Sequence, residues 1–131
     1  MNVRPLIPVL LFGLAACSAM PTGETGAPTE SSQPPATAQV ITVSVADFMI
    51  EPSAFEVSGP AVSFEVTNDG PTPHNFTVRG PDDQVVMRSS DLAVGASETI
   101  SASLEAGEYT VYCSLAGHES LGMTGTLTVE G

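Results

Sequence analysis

From Val40 to the C-terminus, apolar and polar side chains alternate with a period of two. Ile41, Val43 and Val45 share a face, with Thr42 and Ser44 opposite. The same pattern recurs at Phe55 and Val57, at Val62, Phe64 and Val66, and at Phe76 and Val78. It returns at Ile100, Ala102 and Leu104, at Tyr109 and Val111, and at Leu127 and Val129. Such alternation marks strands with one buried face. Turn chemistry separates the runs: Ser58-Gly59-Pro60, Asn68-Asp69-Gly70-Pro71, Gly80-Pro81-Asp82-Asp83 and Ala106-Gly107. No window of a dozen residues carries a helical stripe. The pattern predicts an all-β fold of seven or eight short strands over residues 39–131, folded as a two-sheet antiparallel sandwich.

The N-terminal third reads differently. Met1 to Ala16 holds one Arg and then the apolar run Leu6 to Ala16. That run is shorter than the roughly 20 apolar residues a membrane span needs, and it reads as a secretory signal. It ends in Leu14-Ala15-Ala16-Cys17, which resembles the bacterial lipobox. That resemblance implies a lipidated Cys17 and a stable membrane anchor. Residues 17–38 are then the lipidated N-terminus and a flexible linker, rich in Pro, Ser, Thr and Gly. The flexible-chain estimate gives that linker a reach of roughly 25 Å. Residues 39–131 form the folded domain.

Charge narrows the choice of partners. Three basic residues, Arg4, Arg79 and Arg88, stand against fifteen acidic ones, for a net charge of −12. Such a surface repels nucleic acid and anionic headgroups and attracts a basic protein. The chain is expected to act as an exported monomer, in the periplasm or on the extracellular face.

Chemistry collects near the C-terminus. Cys113, His118 and Met123 fall within eleven residues, and a second imidazole lies upstream in Pro73-His74-Asn75-Phe76. His74 and His118 are the two histidines of the chain. His74 shares parity with Phe76 and Val78, Cys113 with Tyr109 and Val111, and Met123 with Leu127 and Val129. All three therefore point inward. His118 lies on a Gly-containing loop free to turn toward the same place. Each has an ordinary alternative: a buried thiol as a small apolar residue, a turn or loop histidine, a core methionine like Met49 and Met87. Together, two His, one Cys and a weak Met are the ligand set of a blue-copper centre.

In residue types and order, Asn68 to Val78 and Glu108 to Val129 resemble the plastocyanin/azurin group of cupredoxins, the small blue copper proteins. The resemblance covers roughly Val40 to Glu130. It implies a Greek-key sandwich, one copper ion cycling between Cu(I) and Cu(II), and electron transport rather than catalysis. Carried over, the ligands are His74, Cys113, His118 and Met123. Asn75 is the residue expected to tie the two ligand loops together. Four residues separate Cys113 from His118 and four separate His118 from Met123, a slightly longer loop than in either namesake. The resemblance also implies that electrons leave through His118, inside an apolar ring of Pro71, Pro73, Leu115, Ala116 and Leu121. Glu119 beside it is expected to help orient a basic partner, such as a c-type cytochrome or a membrane redox complex.

A copper enzyme of this kind would need further histidines, and both are already committed. The same shortage argues against a Ser-His-Asp hydrolase. A copper store or chaperone would use the same ligands and is the main alternative.

Overall fold

The computed structural model describes residues 37–131. The expected signal peptide, Cys17 and nearly all of the linker lie outside the described residues. Among the described residues nine strands form: β1 (Gln39–Ala46), β2 (Met49–Glu51), β3 (Ala54–Ser58), β4 (Ala61–Asn68), β5 (Thr77–Arg79), β6 (Val85–Arg88), β7 (Ser97–Ser103), β8 (Gly107–Tyr112) and β9 (Thr124–Glu130). A 3-10 turn spans Glu119–Leu121.

Alternation becomes burial. Val43, Val45, Phe55, Val57, Val62, Phe64, Val66, Val78, Val111, Leu127 and Val129 all lie in the core. They line the facing surfaces of two sheets, ordered β2-β1-β4-β7 and β3-β9-β8-β5-β6. Phe64 from the first sheet packs against Phe76, which immediately precedes β5 of the second, ring centroids 5.0 Å apart. Phe55 meets both rings nearly edge-on, at 5.8 and 6.1 Å, a favoured aromatic arrangement. The two-sheet sandwich is therefore as the pattern predicts, but with nine strands among the described residues rather than seven or eight, and not wholly antiparallel.

Its pairing is richer than the pattern could say. β1 runs parallel to β4 and β3 runs parallel to β9, so both sheets are mixed. Alternation reports which face is buried, not which strand lies alongside or in which direction. β2 and β6 are additional to the runs read from sequence. β2 has three residues, and β6 carries the unbroken apolar run Val85-Val86-Met87 at a sheet edge, where Val85 and Val86 are exposed. Met87 fills the core as expected, but Met49 is 49% exposed. In β2 it is Ile50 that turns inward, so Met49 must turn out.

The loop before His74 is held by a buried amide. Asn68 Nδ2 donates to the carbonyls of Thr72 and Leu92, both at 2.9 Å, and its Oδ1 accepts from the Gly70 nitrogen at 2.9 Å. This closes the Asp69–Pro73 turn and sets the position from which the chain enters β5.

Candidate metal centre

His74, Cys113 and His118 meet at one end of the sandwich. His74 lies just before β5 and pairs with Leu92 by two backbone bonds of 3.2 and 2.7 Å. Cys113 follows the last residue of β8, and its nitrogen donates to the Met123 carbonyl at 3.1 Å. The loop between them is folded back on itself: the His118 carbonyl accepts from the nitrogens of Leu121 and Met123. Gly117 and Gly122 take left-handed conformations, φ 87° and 102°, on either side of His118 and the 3-10 turn.

The two imidazoles face each other through Nδ1, 3.2 Å apart, and Cys113 Sγ lies 3.5 Å from His118 Nδ1. One ligand atom from each of the three residues falls within 4.8 Å of the others. Metal bonds of about 2.0 Å to nitrogen and about 2.3 Å to sulfur would span such separations around one ion. The donor chemistry fits as well: two imidazole nitrogens and a thiolate turned toward one another repel unless a proton or a cation lies between them. His74, Cys113 and Met123 are wholly buried and His118 is half-exposed. Inward parity is thus observed for all three strand-end candidates.

The sequence of residues 9–129 matches the family described as Cupredoxin-like domain. The chain belongs to the cupredoxin family. The blue copper proteins of that family are electron carriers, not enzymes. No curated protein sequence matches the chain. Among the solved structures that share its fold are three auracyanins, each at 19% identity. The first is the dithionite-reduced auracyanin of the photosynthetic bacterium Roseiflexus castenholzii, with TM-score 0.64 over 72% of this chain and 99% of that one. Auracyanin B has TM-score 0.66 over 72% and 90%. Auracyanin A, described as a "blue" copper protein from the green thermophilic photosynthetic bacterium Chloroflexus aurantiacus, has TM-score 0.57 over 70% and 100%.

Around the three donors, this cupredoxin builds a dense set of hydrogen bonds. Asn75 does tie the two loops. Its Oδ1 accepts from the Ser114 nitrogen at 2.8 Å, the Ser114 hydroxyl at 3.1 Å and the Thr77 hydroxyl at 3.1 Å. Its Nδ2 donates to Asp91, which also binds Arg88, and Arg88 reaches Ser114 in turn. The Asn75 backbone N–H points at Cys113 Sγ from 3.5 Å, an interaction that steadies a thiolate.

Two neighbours were not legible from sequence. The two-residue turn between β1 and β2 places Asp47 and Phe48 on the two histidines. Asp47 Oδ1 lies 2.9 Å from His74 Nε2 and accepts a 2.6 Å bond from the Thr72 hydroxyl. That hydroxyl does most to hold the Asp47 carboxyl below its ordinary pKa. Partial desolvation opposes it, and the bond from His74 adds to it. Phe48 sits edge-on to His118 with ring centroids 5.9 Å apart. It does so at φ 60°, a left-handed conformation that costs a bulky residue about 1–2 kcal/mol.

The residues expected to ring His118 differ in exposure, and Phe48 meets its imidazole. Pro71, Pro73, Ala116 and Leu121 are exposed, Leu115 is half-buried against the core, and Phe48 joins them. Glu119, expected to help orient a basic partner, is itself paired within the chain. Arg79 Nη2 binds its Oε1 at 2.8 Å, and the same guanidinium lies near Asp83 and 4.6 Å above the Tyr112 ring. Glu119 is one half of an ion pair that pins the 3-10 turn to β5.

Proposed function

We propose that His74, Cys113 and His118, with Met123 as a weak axial donor, hold one copper ion that carries single electrons between redox proteins. The observation that carries this reading is the convergence of the His74 Nδ1, His118 Nδ1 and Cys113 Sγ atoms at a buried sandwich end. Copper held by such donors supplies a one-electron couple.

The chain's own residues account for the rest. β5, β8 and β9 and the Asn75 bonds fix the donors on rigid elements, so neither oxidation state can impose its own geometry. His118, the half-exposed donor, is the exit toward a partner. Its apolar surround lets a partner approach without stripping water from charges. The acidic surface favours a basic partner, a c-type cytochrome or a membrane redox complex.

Residues 1–16 act as the export signal, Cys17 carries lipid, and residues 17–38 tether the domain of residues 39–131 at the outer face of a membrane. Support for this comes from the Leu14-Ala15-Ala16-Cys17 run and the linker composition. Among the described residues no helix is long and apolar enough to cross a membrane.

The test is a copper(II) titration of the purified protein with visible spectroscopy and voltammetry. One equivalent should produce the intense thiolate-to-copper band and a reversible one-electron wave, with copper retained on reduction. Absence of the band would refute the site, and copper release on reduction would identify a store or chaperone instead.

Met123→Leu probes the axial donor. A thioether favours Cu(II) over a hydrocarbon, so its loss should raise the potential, by about 59 mV for each tenfold fall in the Cu(II)/Cu(I) affinity ratio. The colour should persist. Complete loss of copper would show that Met123 is a principal ligand rather than a weak one.

A further inference from the structure

The contact between Asp47 and His74 reaches beyond the donor set itself. Asp47 Oδ1 lies 2.9 Å from His74 Nε2. A carboxylate can only accept here, and the Thr72 hydroxyl already donates to the same oxygen at 2.6 Å. His74 Nε2 must therefore carry the proton, which leaves the Nδ1 lone pair free to face Cys113 and His118.

The backbone is shaped for this contact. A Cβ on Gly70 would lie 3.0 Å from His74 Nε2, 3.0 Å from the Ala46 Cα and 3.1 Å from the Asp47 nitrogen. Only a residue without a side chain lets the Asp69–Pro73 turn, the β1–β2 turn and the imidazole close on one another without displacement. His74 is wholly buried while the Asp47 side chain is 37% exposed. The carboxylate thus keeps part of its hydration while its Oδ1 holds the inner ring.

We propose that Asp47 is the positioning residue of the copper site: it fixes the tautomer and orientation of His74 and lowers the reduction potential. This rests on the copper reading above. The sign follows from charge. The oxidised centre carries one more positive charge than the reduced one, so a nearby anion stabilises the oxidised form more. An N–H bonded to a carboxylate also makes the opposite ring nitrogen a stronger donor.

Two variants of the purified protein separate charge from hydrogen bonding. Asp47→Asn keeps an oxygen able to accept from Nε2–H but removes the charge. Asp47→Ala removes both. In the metal-free protein, ring-nitrogen NMR should find the His74 proton on Nε2 in the wild type and in Asp47→Asn. In Asp47→Ala the proton should distribute between both nitrogens. In the copper-loaded protein, Asp47→Asn should lower the Cu(II)/Cu(I) affinity ratio about tenfold, an upward shift of about 59 mV. Asp47→Ala should lose about 10–100-fold in Cu(II) affinity.

A wild type that turns blue, with both variants at its potential and Cu(II) affinity, would overturn the proposal and leave the copper reading intact. An Nε2 proton unmoved in Asp47→Ala would overturn the positioning role. A wild type that takes up no copper would remove the reading and the proposal with it.

Discussion

Cys113→Ser should abolish the visible band completely while leaving the fold standing. The sulfur is wholly buried, and Cys113 forms no disulfide. Serine is nearly isosteric but does not ionise at accessible pH, and an alkoxide is a poor soft donor. The colour of a blue-copper site arises from the thiolate, so its loss should be total rather than graded. The fold should lose little. A buried hydroxyl without a partner costs about 1–3 kcal/mol, but here the Asn75 N–H and His118 Nδ1 lie where they can pair with it. The check is a copper titration beside a thermal melt. A surviving intense band would exclude Cys113 as the ligand. A protein that no longer melts cooperatively would show the cysteine to be structural.

Gly125→Ala should be the most damaging substitution among the strand glycines. A Cβ there would lie 2.3 Å from the Ser53 carbonyl oxygen, and 3.0 Å from both the Ser53 carbonyl carbon and Val111 Cγ2. The first two belong to the backbone and cannot rotate away. The Ser53 oxygen also accepts from the Thr126 nitrogen at 2.9 Å, the bond that starts the parallel β3–β9 pairing. Relief of the clash must separate those strands. Overpacking of this kind costs about 1–3 kcal/mol, and the loss of register should place Gly125→Ala at the upper end. Against a total stability of about 5–15 kcal/mol, the urea midpoint should fall clearly with little change in slope. Gly125 is two residues from Met123, so any copper that binds should do so at an altered potential. An unchanged midpoint would mean that β3 yields freely and adds little to the sheet.

What could be read in the chain and what could not divide along a physical line. Parity along a strand is local, so the inward aim of His74, Cys113 and Met123 was visible in the residues that follow or precede them. His118 needed only a loop long enough to turn. Sheet neighbours are not local. Nothing in Ile41-Thr42-Val43 says that β1 will lie parallel to β4, and nothing in Ala54–Ser58 says that β3 will lie parallel to β9. The same blindness hid Asp47 and Phe48. Asp47 is 27 residues from His74, and Phe48 is further still from His118. Their side chains carry no pattern until the β1–β2 turn delivers them. Glu119 shows the converse. It was visible as a charge beside a candidate ligand, but its pairing with Arg79 across forty residues was not.

Hairpin tips are ordinarily where a chain absorbs an extra residue at least cost. The tip between β1 and β2 has no such latitude. Its two residues engage different imidazoles, one through a carboxylate and one through an aromatic edge. A single insertion would rotate both side chains off their targets at once. Length variation at that bend should therefore be felt at the proposed redox centre as strongly as a change in the ligand loop itself, although none of the four candidate ligands lies there.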